Sequence, residues 1–225
     1  MSDTRYTTFR TSLRTAAIMV LFSLVFTSMM AFTYRATRPA IQASELEEQM
    51  RLIDEVLPRD DYDNALLEDF VLLGRTPALG IDGGRVWRAR MEGEPVALVI
   101  EAVAPNGYGG RIALVNAVRD DGRVSGVRVT SHRETPGLGD YIDPKKDRNK
   151  IAPWIGQFAG ISWVDTDPAR WAVRKDGGSF DARTGATISA RAVVGAVGRA
   201  TAWAAAHRQA LFAAPAGSTL QGETQ

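Results

Sequence analysis

The chain has 225 residues, of which 45% are hydrophobic and 24% are charged, so it can bury one core and little more. It contains no cysteine, which excludes thiolate metal centres and iron–sulfur clusters held by this chain alone. Its formal net charge is +1, and beyond Arg38 the 22 basic residues are outnumbered by 25 acidic ones, so a basic face that binds nucleic acid is not expected.

The first predicted element is a transmembrane helix. Residues 15–34 carry no charge, and the run is long enough to cross a hydrocarbon core of about 30 Å. The arginines that flank it are Arg5, Arg10, Arg14, Arg35 and Arg38. A cleaved signal peptide is the alternative, but Thr33-Tyr34-Arg35 is a poor small-residue cleavage site. We therefore expect residues 1–14 to be a short cytoplasmic tail, residues 15–34 an anchor, and the following domain to lie outside the cytoplasm.

A helical membrane-proximal segment is expected over residues 35–84. Ser44 and Glu47 have the spacing of a capping box, and apolar residues recur at helical intervals from there to Pro58. This pattern predicts a short amphipathic helix that begins at Ser44 and has a structural role.

Residues 85–212 are expected to form an α+β domain, an antiparallel sheet with flanking helices. Apolar runs of strand length predict the strands, at residues 86–90, 96–103, 112–118, 127–129 and 171–173. Asp120-Asp121-Gly122 is a hairpin turn in this reading. The glycine-rich loop 105–110 predicts either a plain turn or a close approach of the backbone to a ligand.

The loop at residues 131–140 is rich in glycine and polar groups and contains Glu134, Thr135 and Leu138. Such a loop can present backbone N–H groups, a carboxylate and an apolar contact to a planar ligand. A solvated Pro-Gly turn is the plainer alternative.

The sequence Thr184-Gly185-Ala186-Thr187 immediately precedes a long helical pattern, for which Ser189 is the expected N-cap. The apolar stripe of this helix is Val193, Val197, Ala200 and Ala204. The unpaired N–H groups and positive dipole end of a helix start favour a phosphate, and a threonine hydroxyl lies beside them. Beyond Phe212, residues 213–225 are expected to be a disordered tail.

Other chemistries have no support in the sequence. Neither His132 nor His207 lies in a metal-ligand spacing or near a serine nucleophile motif, and no metal site is expected. No dinucleotide fingerprint or phosphate-loop lysine motif occurs. What remains is a hydroxyl that can be esterified beside a helix start.

The motif Asp181-x-x-Thr184-Gly185-Ala186-Thr187-x-Ser189 resembles the flavinylation motif of FMN-binding domains, whose last threonine carries FMN through a phosphodiester bond. Segments 134–139 and 107–110 are similar to other signatures of that domain. Segments 171–181 and 191–197 resemble the G subunit of the Rnf (Rsx) electron transport complex. The C subunit of the sodium-pumping NADH:quinone reductase, which also has an N-terminal membrane helix, is the alternative.

The resemblance assigns roles to single residues. It makes Thr187 the covalent attachment point of FMN. It implies that the phosphate and the turn are formed by Thr184, Gly185, Ala186 and Ser189. It implies that Glu134, Thr135 and Leu138 lie near the flavin ring.

The resemblance also implies the setting. FMN is expected to relay electrons between other membrane and iron–sulfur subunits of the complex, after a separate flavin transferase has attached it from FAD. The chain is expected in the bacterial inner membrane, with its domain on the periplasmic side, and it is not expected to catalyse a reaction alone. A membrane-anchored sensory or assembly protein with an FMN domain, and a binding module without flavin, are the alternatives from other classes.

Overall fold

The computed structural model describes residues 3–220, and its first element is the long helix α1 (Asp3–Asp54). The stretch that begins at Ser12 is long and apolar enough to cross a membrane. Its large apolar side chains, among them Phe22, Phe26 and Phe32, are exposed, as expected of side chains that face lipid. The structure thus contains the candidate membrane span that the sequence predicts.

The prediction of a separate helix that begins at Ser44 is wrong, because α1 continues through this residue. A capping residue needs a non-helical backbone, and Ser44 lies inside the helix. Pro39 also lies inside α1, where it cannot donate a hydrogen bond to the carbonyl of the preceding turn. The capping-box spacing is therefore present without its structural consequence.

The chain divides into two compact units, residues 1–49 and residues 50–225, and the second contains the sheet. Within residues 3–220 the strands are β1 (Phe70–Thr76), β2 (Ile81–Met91), β3 (Glu94–Gly107), β4 (Gly110–Arg119), β5 (Val124–Ser131) and β6 (Thr219–Leu220). They form one sheet in the spatial order β5-β4-β3-β2-β1-β6. The strands from β1 to β5 pair antiparallel, and β6 pairs in parallel with β1. The predicted α+β class is confirmed, with a sheet that β6 makes mixed.

Two expectations about the ends of the domain are wrong. Residues 35–84 are not helical throughout, because β1 and the start of β2 lie in them. Residues 213–220 are not disordered, because Gly217 N–H donates to the carbonyl of Phe70 at 2.7 Å and β6 then extends the sheet. The small polar residues of this tail pair through their backbones, which composition does not reveal. Residues 221–225 of the predicted tail lie outside the described residues.

The strand predicted at residues 171–173 is also wrong. Val173 forms only an isolated bridge with Phe180. Trp171 packs instead in an aromatic cluster, 5.5 Å from Trp163 and 5.1 Å from Phe180 between ring centroids. The apolar side chains of this segment therefore pack in the core and do not mark a strand.

Helix α2 (Thr187–Ala213) packs on one face of the sheet, and the predicted apolar stripe of this helix is buried. Leu98 and Ile100 of β3 share the core cluster that contains α2. Val99, between them, belongs to the cluster on the opposite face, with Ile53 and Leu57. Both faces of β3 are therefore covered, which explains its continuous apolar run, and each large side chain buried there contributes about 1.5–3 kcal/mol.

The carboxyl end of α2 is held by Arg88 of β2. This guanidinium is buried and donates hydrogen bonds to the carbonyls of Leu211, at 2.8 Å, and of Ala214. Asp69 balances its charge. Because the last carbonyls of a helix lack partners within the helix, these bonds fix the position of α2 against the sheet.

Candidate functional site

The turn that precedes α2 places Thr187 at the first residue of the helix. The N–H of Ala186 donates to the carbonyl of Arg183 at 3.1 Å, and Gly185 within this turn has a φ of +84°, which favours glycine. Thr184 is exposed and Thr187 is half-buried. The chain therefore brings a threonine hydroxyl to the positive end of a long helix.

Ser189 is not the N-cap that the sequence predicts. Ala186 occupies the N-cap position, and no side chain caps the helix there. The N–H groups of the first turn consequently lack a side-chain acceptor, which leaves them open to a phosphate. Ser189 lies inside the first turn, is buried, and donates its hydroxyl hydrogen to Glu134 instead.

Glu134 lies in the loop after β5, with only 4% of its surface exposed. One carboxylate oxygen accepts from Ser189, and the other accepts from the N–H of Gly109 at 2.9 Å. The N–H of Glu134 itself donates to Nδ1 of His132 at 3.2 Å. This carboxylate therefore joins three segments of the chain: the β3–β4 hairpin, the loop after β5 and the start of α2.

The β3–β4 hairpin packs tightly against that loop. A Cβ added at Gly109 would lie 1.9 Å from the carbonyl oxygen of Arg133, so no larger residue fits. The neighbouring Tyr108 is 70% exposed. The glycine-rich segment is thus a turn and a close approach between two backbones at the same time.

These three segments enclose a cavity of about 230 Å³. Of the predicted site residues, those that line it are Glu134, Thr135, Leu138, Gly185, Ala186 and Ser189. Thr184 and Thr187 belong to the same turn but not to this lining. Six of the eight predicted residues therefore meet around one cavity, and the two threonines flank it along the chain.

The cavity also contains residues that were not assigned to the site from the sequence: Tyr108, Gly139 and Ile188. Their signals were present, since Tyr108 lies between glycines and Ile188 is the unspecified position of the threonine motif. The sequence does not place Tyr108 beside α2. That neighbourhood depends on Glu134, which bonds both to Gly109 of the hairpin and to Ser189 of α2.

Further polar contacts, outside the cavity lining, support the turn. The hydroxyl of Tyr141 donates to the carbonyl of Ala186 and accepts from the N–H of Arg183, both at 3.2 Å. Burial raises the pKa of this hydroxyl above its usual 10.0, so it remains a donor at neutral pH. The Arg183 guanidinium lies over the Tyr141 ring at 4.6 Å from its centroid. No motif or spacing in the sequence indicates this support.

Asp147 also supports the turn. Its side chain is fully buried and forms an ion pair with Arg183. Burial alone would raise the pKa of Asp147, but the N–H groups of Trp154 and Asn149 and the Arg183 guanidinium outweigh it, so the pKa lies below its usual 3.8. The carboxylate is therefore charged at neutral pH, and it fixes Arg183 beside the turn.

The described part of the chain contains no group of three or more His, Asp or Glu side chains that could hold a metal ion. His132 accepts the hydrogen bond from the N–H of Glu134, and His207 stacks on Trp203 with 4.4 Å between ring centroids. Both histidines have structural contacts.

Comparison with known proteins gives matches over nearly the whole chain. The FMN-binding domain family matches residues 107–202, which include the hairpin, the loop and the turn around the cavity. The RnfG N-terminal region matches residues 1–56, which include the whole of α1 and the candidate span.

Several curated relatives are named as the G subunit of the ion-translocating oxidoreductase complex. The relative from Pseudoalteromonas atlantica is 43% identical over 88% of this chain and 90% of its own length. The relative from Shewanella loihica is 41% identical over 95% of this chain and 99% of its own length, and that from Pseudomonas aeruginosa is 41% identical over 91% and 94%. The resemblance predicted from the sequence is confirmed: this chain belongs to the family of G subunits of the ion-translocating oxidoreductase complex.

Proposed function

We propose that this chain is the electron-carrying G subunit of an Rnf-type membrane complex, and that it holds FMN by a phosphodiester bond to Thr187. The observation that carries the proposal is the position of this threonine, at the uncapped start of α2 and next to a cavity in the region of the FMN-binding domain. FMN supplies reversible electron transfer when it is bound.

The cavity residues fit a flavin ring. Three of them, Tyr108, Leu138 and Ile188, are exposed apolar side chains, with 70%, 54% and 46% of their surfaces accessible. Aromatic and aliphatic side chains around a concave site suit a flat heteroaromatic ligand. In this proposal they contact the ring, while Glu134 keeps the hairpin and the helix start in place around it.

The helix start fits the phosphate. An ester at the Thr187 oxygen would place the phosphate beside the N–H groups of the first turn of α2, which no side chain caps. The exposed Thr184 and Gly185 leave this side of the turn open to an attaching enzyme. Attachment would form a bond from the Thr187 oxygen to the flavin-side phosphorus of FAD, with AMP as the leaving group and release of the hydroxyl proton.

The size of the cavity explains why a covalent bond is useful. At about 230 Å³ it is smaller than the roughly 300–1,000 Å³ of pockets that enclose small molecules. A flavin ring held here would therefore be only partly enclosed, and neighbouring redox centres could approach it. The bond to Thr187 retains a cofactor that so open a cavity would hold weakly.

The proposal includes a setting for the chain. The candidate span anchors it in the bacterial inner membrane, and the domain that carries the cavity lies on the periplasmic side. Its partners are the other membrane and iron–sulfur subunits of the complex, together with the flavin transferase.

The attachment site is tested by intact mass and peptide mapping of the protein purified from its native membrane under denaturing conditions. We expect an added mass of one FMN minus one water on the peptide that contains Thr187. The variant Thr187→Val should lose this mass, and Thr130→Val, a control at an exposed threonine of β5 outside the cavity lining, should keep it. An unmodified peptide from cells with an active flavin transferase would contradict the covalent attachment.

The side of the membrane is tested with the variant Val164→Cys, whose position is 75% exposed in a chain that has no other cysteine. A maleimide that cannot cross membranes should label it in intact spheroplasts if the domain is periplasmic. Labelling that requires lysis would place the domain in the cytoplasm.

A further inference from the structure

A basic loop, which we define as residues 143–151, is joined to the turn before α2 by the ion pair of Asp147 with Arg183. Its exposed cations are Lys145, Lys146, Arg148 and Lys150. Among the side chains that the structure describes, none forms an ion pair with Lys145, Lys146 or Arg148. Asp147 is buried against Arg183, which leaves Asp143 as the partly exposed carboxylate of the loop. The loop therefore presents a net positive surface.

This positive surface is preorganised. The buried Asp147 accepts from the N–H groups of Asn149, at 2.9 Å, and Trp154, at 2.7 Å. The ammonium group of Lys150 donates to the carbonyl of Lys145 at 2.8 Å. Because these bonds already hold the loop in one conformation, binding through it has little ordering cost.

The loop also carries an apolar residue at its end. Ile151 is 99% exposed, more than any other large apolar side chain in the described part of the domain. It adjoins a shallow groove with Pro153 and Trp154 in its lining. An isoleucine in water beside a cluster of unpaired cations is the combination that membrane-surface segments use, with cations at the headgroups and the apolar side chain below them.

We infer that the basic loop docks on the membrane surface, with its lysines and arginine at anionic lipid headgroups and Ile151 inserted among the acyl chains. The candidate span in α1 gives the reason to choose lipid, since it keeps the domain tethered to a bilayer and raises the effective concentration of that surface. Each Lys or Arg near an anionic surface strengthens binding roughly fivefold. The inference rests on the membrane attachment proposed above, but not on the flavin.

Docking also concerns the turn that carries Thr187. Arg183, directly before Thr184, is paired with Asp147 inside the basic loop. A loop fixed on the membrane surface therefore fixes the orientation of the turn that carries Thr187. The cofactor would then face its redox partners within the membrane complex at a constant angle.

The absence of native cysteine allows a direct test on the full-length chain in lipid nanodiscs. A nitroxide label is attached at Ile151→Cys, and its accessibility to oxygen, which partitions into lipid, is compared with that to a water-soluble nickel chelate. In discs that contain phosphatidylglycerol we expect oxygen access and protection from nickel. In phosphatidylcholine discs, and in 1 M salt, where the Debye length falls to about 3 Å, nickel access should return.

Two variants make the test specific. The label at Val164→Cys, also on an exposed apolar residue but beside Asp165, should stay accessible to nickel in every disc. Reversal of two loop charges, Lys145→Glu with Lys146→Glu, should release the label at position 151, with docking weakened at least about fivefold for each cation removed. The matched reversal of two cations outside the loop, Arg111→Glu with Lys175→Glu, should leave it docked.

Each contrary outcome has a distinct meaning. A chain that does not co-elute with the discs overturns both membrane attachment and docking. A chain that co-elutes but leaves the label at position 151 accessible to nickel in anionic discs overturns docking alone. A label that becomes protected only when the other subunits are added shows a protein partner and also overturns the lipid assignment.

Discussion

The hydroxyl of Ser189 donates to the buried carboxylate of Glu134, across 55 positions of sequence. This bond connects the first turn of α2 to the loop after β5, and the second carboxylate oxygen extends the connection to Gly109. Both carboxylate oxygens accept hydrogen bonds from neighbouring segments, so Glu134 holds together the segments that line the cavity. Changes at this carboxylate should therefore affect the whole site.

We expect Ser189→Ala to destabilise the protein by about 1–3 kcal/mol, because a buried carboxylate oxygen loses its donor. Urea unfolding of the full-length chain in detergent, followed by tryptophan fluorescence, measures this change. Ser125→Ala is the control, because Ser125 lies on β5, outside the cavity lining. Equal stabilities of the two variants would show that the bond to Glu134 has no net effect.

Gly109→Ala should disrupt the site by steric overlap. The added Cβ would lie 1.9 Å from the carbonyl oxygen of Arg133, so the hairpin must move away from the loop and lose its bond to Glu134. We expect the free energy of unfolding to fall by about 1–3 kcal/mol and the melting temperature to drop. Gly156→Ala is the matched control, because nothing lies within 4 Å of its Cβ position. Similar melting temperatures would contradict this packing.

The sequence predicts the parts of this fold that depend on patterns of neighbouring residues. The apolar runs of β2, β3 and β4, the hairpin turn at Gly122 and the buried stripe of α2 are all present. Each depends on residues close in sequence, so composition and spacing are enough. The strand β6 could not be predicted, because its two residues pair only through backbone groups at the edge of β1.

The candidate site could be predicted only to the level of segments. A motif indicated Thr187 and its turn, and glycines indicated the two other loops. The position of Ser189 within the helix was missed because its hydroxyl has a stronger acceptor in Glu134 than in the local backbone. Likewise, the support of the turn by Tyr141 and Asp147 depends on contacts over more than 30 positions, which spacing does not encode.

The depressed pKa of Asp147 makes part of the stability dependent on pH. A lowered folded-state pKa gives stability that is present above the unfolded value of 3.8 and is lost as pH falls through the folded value. We therefore expect Asp147→Asn to be less stable than the unchanged chain at neutral pH and to have a flatter stability profile below pH 3.8. Urea midpoints across this range provide the measurement.

The control for this profile is Asp165→Asn, an exposed carboxylate paired with Arg123, whose removal should change stability by less than about 1 kcal/mol. If Asp147→Asn loses stability in acid as steeply as the unchanged chain, the charge of Asp147 is not the cause of the acid dependence.

The last prediction concerns a polar pair in the core, between the sheet and α2. Asn116 of β4 is fully buried and donates to the hydroxyl of Thr201 at 3.1 Å, while its Oδ1 has no hydrogen-bond partner in the described structure. Thr201→Val should destabilise the protein by about 1–3 kcal/mol, because the amide of Asn116 loses its acceptor. Asn116→Leu should cost much less, because it removes the unpaired oxygen and leaves Thr201 bonded to the carbonyl of Val197.

A double-mutant cycle separates the two effects. With both changes combined, no polar side-chain group of the pair remains, and we expect the double variant to be at least as stable as Thr201→Val alone. The free energies of unfolding of the four proteins give the coupling directly. Strictly additive losses would show that Asn116 and Thr201 do not depend on each other, and that the amide of Asn116 is satisfied in some other way.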